Sequence, residues 1–171
     1  MSEQQLLQQA IDVLRIHDVY LRSSDARLAD GFEPKYDPGI DRLEIQFKHL
    51  VAQSSVLNLH EDTDEGAEPL QLFRVHVELG SRWVDTETSA EGEEQSVKAE
   101  INATMIAEYV MSEDPGPDAL KLFALKNASF HIWPYWREYL TMQCLRMNLP
   151  KLVLPTVQFA SNHEDQESHT E

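Results

Sequence analysis

The chain is poor in the residues on which most site chemistry is built. One cysteine, Cys144, stands among 171 residues, which excludes an internal disulfide framework. Six glycines leave little from which to build a nucleotide cradle. Neither Gly-x-Ser-x-Gly nor His-Glu-x-x-His nor a glycine-rich phosphate loop occurs. Basic residues are scarce, 14 against 30 acids for a formal charge of −16. Such a surface repels nucleic acid and anionic lipid, so both are set aside as partners. No apolar run approaches the roughly 20 residues needed to cross a membrane, and the start Met1-Ser-Glu-Gln-Gln is no signal peptide. A soluble cytoplasmic protein is expected. The seven histidines lack metal spacing; His163 and His169, with Glu164 and Asp165, lie in a solvated tail without a supporting shell. No metal or other cofactor is expected, and nothing in the residues supports an enzyme.

What is present reads as one domain over residues 1–160 and a disordered acidic tail over 161–171. Leu6, Leu7, Ala10, Ile11 and Leu14 recur at helical spacing. Ile16, Val19 and Leu21 then read as an irregular strand. Pro34 to Gly39 marks a loop. Leu43, Ile45 and Phe47 alternate with polar residues, a half-buried strand that can extend towards Leu59. The clearest strand puts Phe73, Val75, Val77, Leu79 and Trp83 on one face and Arg74, His76, Glu78 and Arg82 on the other. Another sets Val97, Ala99, Ile101, Ala103 and Met105 against Lys98, Glu100, Asn102 and Thr104. Two loops, His60 to Pro69 and Asp85 to Gln95, carry five acids each. Short polar loops between strands imply an antiparallel meander with one covered face. Pro115-Gly116-Pro117 breaks the chain, and Asp118 can cap a short turn through Leu122.

The densest information lies in residues 130–159. Pro134 fits the first turn of a helix, and Trp133 before it is pushed towards extended backbone, so a helix is expected from Pro134. Trp136, Leu140, Cys144 and Met147 recur along it, with Tyr135 and Tyr139 widening the apolar face. Asn148 can take the left-handed turn after it, and Pro150 forbids continuation. The expected fold class is therefore α+β, a four-stranded antiparallel sheet with one long helix packed on it.

Pro134, Tyr135, Arg137, Glu138, Arg146, Pro150, Leu152, Leu154 and Phe159 stand in the order and spacing of one family's helix-to-strand motif. In this the chain resembles the SecB family of export chaperones. The resemblance implies the same α+β architecture, a homotetramer built as a dimer of dimers, and an ATP-independent holdase of non-native polypeptide. Export-type members continue past the motif's Phe with a second apolar helix, whereas this chain passes from Phe159-Ala160 into acidic sequence. With Arg137 to Leu140 and an N-terminal helix, that is similar to SecB-like chaperones attached to toxin–antitoxin systems, which protect an antitoxin. The implied clients are thus preproteins or an antitoxin, and an adaptor of the same fold that binds one folded partner is the rival reading.

The resemblance places a client-binding groove between helix and sheet and along the helix-to-strand connection. The candidate residues are Trp83, Phe130, Trp133, Leu149, Leu152 and Leu154. Each is either groove or plain core, since aromatics at strand or helix period are usually buried. Aromatic and methionine side chains suit promiscuous apolar binding because they offer area without demanding hydrogen-bond partners. The resemblance also implies docking of the translocase motor ATPase on an acidic sheet surface, with Glu100 and Asp18 as candidates. Cys144, on the helix's apolar face with no thiol-enzyme signature around it, reads as core.

Overall fold

The two central strands fix the layer order. In the computed structural model, which describes residues 1–60, 66, 68–87 and 96–154, β3 (Leu70–Asp85) and β4 (Ser96–Met111) pair antiparallel along nearly their whole length. Phe73, Val75, Val77, Leu79, Ser81 and Trp83 of β3 are buried on one face, beside Ala99, Ile101, Ala103, Met105, Ala107, Tyr109 and Met111 of β4. The period-two alternation of the sequence is thus the alternation of a sheet with one covered face.

The flanking strands correct the expected meander. β1 (Leu14–Leu28) pairs with β4, and β2 (Glu44–Leu59) pairs with β3, so the order across the sheet is β1-β4-β3-β2. The chain leaves β1 at one edge and crosses to the other through residues 29–43, pinned by buried Phe32 and Pro34. That is a Greek-key arrangement, with three hairpin-connected strands and one strand joined by a long connection. Both β1 and β2 are edges.

α1 (Glu3–Val13) begins with a capping box, in which the Gln5 N–H donates to Ser2 Oγ at 3.3 Å and the Ser2 N–H to Gln5 Oε1 at 2.9 Å. It runs into β1 without a loop and packs on α2 (Pro117–Phe123).

The long helix starts 17 residues before the expected Pro134, at Pro117. Gly116 supplies the φ of +91° that the turn needs, and Pro117 occupies the first helical position. Asp118 sits in the first turn of this helix, so the short turn expected through Leu122 is its opening. A π-helical turn (Ala124–Ala128) then joins α2 to α3 (Ser129–Arg146). Leu120, Ala124, Ala128, Ile132, Trp136, Leu140 and Cys144, each four residues from the last, are all buried. In an α-helix a four-residue step advances about 40° around the axis, so such a row would wind away from the sheet. The π turn holds an extra residue and rotates it back.

Pro134 therefore lies inside α3. An interior proline costs about 3 kcal/mol. Burying Ile132, Trp136 and Leu140, none more than 1% exposed, returns roughly 1.5–3 kcal/mol each, so packing wins over local preference. The helix ends as the sequence implies. Asn148 adopts φ +54°, the Leu149 N–H donates to the Cys144 carbonyl at 2.9 Å and the Asn148 N–H to Leu145 at 3.4 Å, which is a Schellman motif. The expected tail at 161–171, Phe159 and most of both acidic loops lie outside the described residues.

Candidate functional site: two apolar flanks of the long helix

The helix covers the middle of the sheet and leaves a flank along each edge strand. On the β2 side, register places Ile45, Phe47, His49, Val51 and Val56 on the covered face, opposite Trp83, Ser81, Leu79, Val77 and Phe73. An edge strand has neighbours on one side only, so these positions are only partly covered: Phe47 is 57% exposed. The helix meets this edge where His49 Nε2 and buried Ser129 Oγ lie 2.6 Å apart. The π turn also packs here, against β2 and β3. Leu125 and Phe130 stay exposed beside the contact, and Trp133, one turn beyond Ser129, is half-buried. Together these side chains form an apolar strip at the edge, termed the channel below, crossed at one point by the Ser–His hydrogen bond.

On the β1 side a hollow of about 400 Å³ lies between strand and helix. Leu21, Met105, Tyr135, Tyr139 and Met142 supply its apolar wall, with Glu138 and Arg146 at the rim. Tyr139 stacks on Trp136 at 6.1 Å between ring centroids. Tyr135 and Met142 remain exposed.

The six expected groove residues divide between surface and core. Phe130 is exposed, and Trp133 and Leu152 are half-buried. Trp83, Leu149 and Leu154 are 1%, 6% and 6% exposed and belong to the core. Trp83 is buried because it continues the covered face of a central strand, where no surface remains. Phe47, His49, Leu125 and Ser129 were not singled out from sequence. The alternation through Phe47 was visible there, but not that this strand lies at an edge.

The buried titratable groups favour structure over chemistry. Burial pushes the Cys144 thiol up to about 11, so little nucleophilic thiolate exists at neutral pH. Tyr109 Oη lies 2.8 Å from His131 Nδ1, and burial raises the phenol and lowers the imidazole, so the phenol donates to a neutral ring. Burial likewise lowers His49. No group of three metal-ligating side chains occurs among the described residues, nor any helix long and apolar enough to cross a membrane.

Glu100 and Asp18 both lie on the open face of the sheet, but apart. Asp18 pairs in register with Glu108, eight positions along β4 from Glu100, or roughly 27 Å at strand rise. Glu100 accepts a 2.8 Å bond from Arg27. Hydrogen bonds from the Asn102 side chain and then Arg27 hold its carboxyl below the usual range. Glu108 is more enclosed, taking two bonds from Arg74, at 2.6 and 2.8 Å, and one from Tyr20 Oη at 3.0 Å.

No protein-family model matches the sequence, and no curated protein matches it. Among solved structures the chain is similar to the Mycobacterium tuberculosis SecB-like chaperone Rv1957, determined in complex with a ChAD peptide from the Rv1956 HigA1 antitoxin. The TM-score is 0.64 and the sequence identity 18%, over 91% of this chain and 98% of that one. The α+β sheet-and-helix architecture described above is therefore the SecB-like chaperone fold.

Proposed function

We propose that this protein is a SecB-like chaperone that holds non-native polypeptide in the β2-side channel, with an antitoxin as its dedicated client. The reading is supported by the near-complete coverage between this chain and a SecB-like chaperone caught with an antitoxin peptide. The channel suits such a client: Phe47 on the edge strand and Leu125 and Phe130 on the helix are more than half exposed, which is unfavourable for a free surface and favourable for an apolar segment laid across it. Holding needs no nucleotide and no bond chemistry, because binding the unfolded chain lowers its free concentration below that at which it aggregates. Preprotein delivery with the motor ATPase is the second reading; it rests on the resemblance in the Pro134–Phe159 motif.

The test is suppression of client aggregation, without nucleotide, by wild type and by Phe47→Asp and Phe130→Asp. A charge placed in the channel opposes apolar binding, and both sites are exposed enough for the fold to survive. Each variant is expected to lose about tenfold in affinity for an antitoxin-derived peptide. If both protect the client as well as wild type does, the channel is not the binding site.

A further inference from the structure

Proline is the residue that a helix interior tolerates least, and Pro134 stands inside α3 with its ring exposed. Burial of that ring therefore does not account for its place. A proline changes two things in a helix. It has no N–H, so the carbonyl four residues back, here that of Phe130, loses its helical partner. Its ring also crowds that carbonyl, which tilts outward from the helix axis. Phe130, Trp133 and Pro134 are neighbours at i, i+3 and i+4 and share one side of the helix. Phe130 is 56% exposed and Trp133 is half-buried. A main-chain acceptor deprived of its helical donor thus sits among apolar side chains on the helix wall of the channel. Other polar groups nearby are less available to a client. Ser129 Oγ and His49 Nε2 already face each other at 2.6 Å. Ser81 Oγ and Trp83 Nε1 find no partner among the described residues, but both are buried beyond reach.

From this geometry we infer that the Phe130 carbonyl accepts a hydrogen bond from a main-chain N–H of the bound client, so that Pro134 serves recognition rather than folding. That role rests on the channel being the client site, and it narrows the client. The segment that fits is extended, with apolar side chains on either side of an unsubstituted amide, and not with an X–Pro bond at that point. A main-chain donor suits a holdase, because every residue except proline carries one. The contact orients the client without reading its sequence. Its net worth is modest, since the N–H exchanges water for the carbonyl, but it is directional, which apolar contact is not.

The test is fluorescence anisotropy with a labelled Ser-rich peptide holding one Leu-Ser-Phe core, and with copies in which the core amides are replaced one at a time by esters. An ester removes the N–H and keeps the extended shape. Wild type is expected to bind one of these esters about fivefold more weakly than the parent, the worth of one hydrogen bond. Pro134→Ala returns an N–H to the carbonyl from within the helix. It is expected to bind the parent about fivefold more weakly than wild type does, and that ester no more weakly than the parent. A change of helix shape alone would weaken every peptide alike and leave the ester penalty in place, so the vanished penalty is the diagnostic result. Phe130→Asp, which acts on the apolar contact, weakens parent and esters together. If wild type binds parent and esters equally while Phe130→Asp binds all of them more weakly, the channel stands and the carbonyl contact falls. The contact falls too if Pro134→Ala keeps the wild-type affinity or the wild-type ester penalty. A wild-type protein that binds none of these peptides overturns the channel and the contact together.

Discussion

Ser129 Oγ and His49 Nε2 meet at 2.6 Å, and this contact joins the long helix to the edge strand β2. It lies one residue beyond the π turn, where the buried row passes from α2 into α3. Helix register, edge strand and channel therefore share one polar contact. Because its histidine is neutral, it is also sensitive to pH.

Burial holds His49 and His131 below the ordinary histidine range, so the folded protein resists protonation while the unfolded chain titrates near pH 6.5. Below that value the unfolded state binds more protons. Stability is then fully present above about pH 6.5 and declines as pH falls from there towards the folded values. Urea midpoints are expected to drop between pH 7.5 and 5. A His49→Gln, His131→Gln double variant should show a shallower decline, and an unchanged pH slope would remove these histidines from the account. Glu100, held low by Asn102 and Arg27, acts in a separate and lower window, below its usual range near 4.5.

Pro134→Ala is expected to stabilise the protein by about 1 kcal/mol or more, since it returns an N–H to the Phe130 carbonyl inside a helix. If Pro134 were the first residue of the helix, the same change would be neutral or harmful. A urea midpoint that does not rise would mean the helix already compensates the missing bond.

Cys144→Ala should cost about 1 kcal/mol through a small cavity beside Leu140 and leave client protection intact. Loss of protection in a variant that stays folded would return the thiol to the mechanism.

How much of this was legible in sequence depended on the range of the interaction. The faces of β3 and β4 could be read because period-two alternation is local and survives in Phe73 to Leu79 and Ala99 to Met105. The cap at Asn148 could be read for the same reason. The helix start could not: Ala124 and Ala128 complete the buried row, yet two alanines carry too little apolar signal to outweigh Pro134. Strand order is set by pairings across the sheet, so neither the position of β1 beside β4 nor the edge status of β2 was visible. The site suffered accordingly. Trp83 looked as available as Phe130, and only the edge separates the buried Trp83 from Phe47, its near neighbour two positions along the register.

Assembly is the remaining expectation, and it bears on the β1 side. Here β1 offers an edge of 15 residues, and the hollow beside it exposes Leu21, Tyr135 and Met142. An unprotected edge with adjoining apolar surface is a template for another strand, and an identical copy would cover both at once through a two-fold axis. β1 does carry guards against indiscriminate pairing, in Arg15, His17, Asp18 and Arg22 and in register shifts at Ile16/Asp18 and Leu21/Ser23. Those features favour one partner of defined register over random addition. Met142→Glu puts a charge into that contact while the side chain, already exposed in one copy, leaves the monomer's core intact. Native mass spectrometry at micromolar concentration should show a tetramer for wild type and dimers or monomers for Met142→Glu, with the far-UV spectrum unchanged. A wild-type protein that is only monomeric would refute the assembly, and a tetramer that survives Met142→Glu would move the interface away from the β1 side.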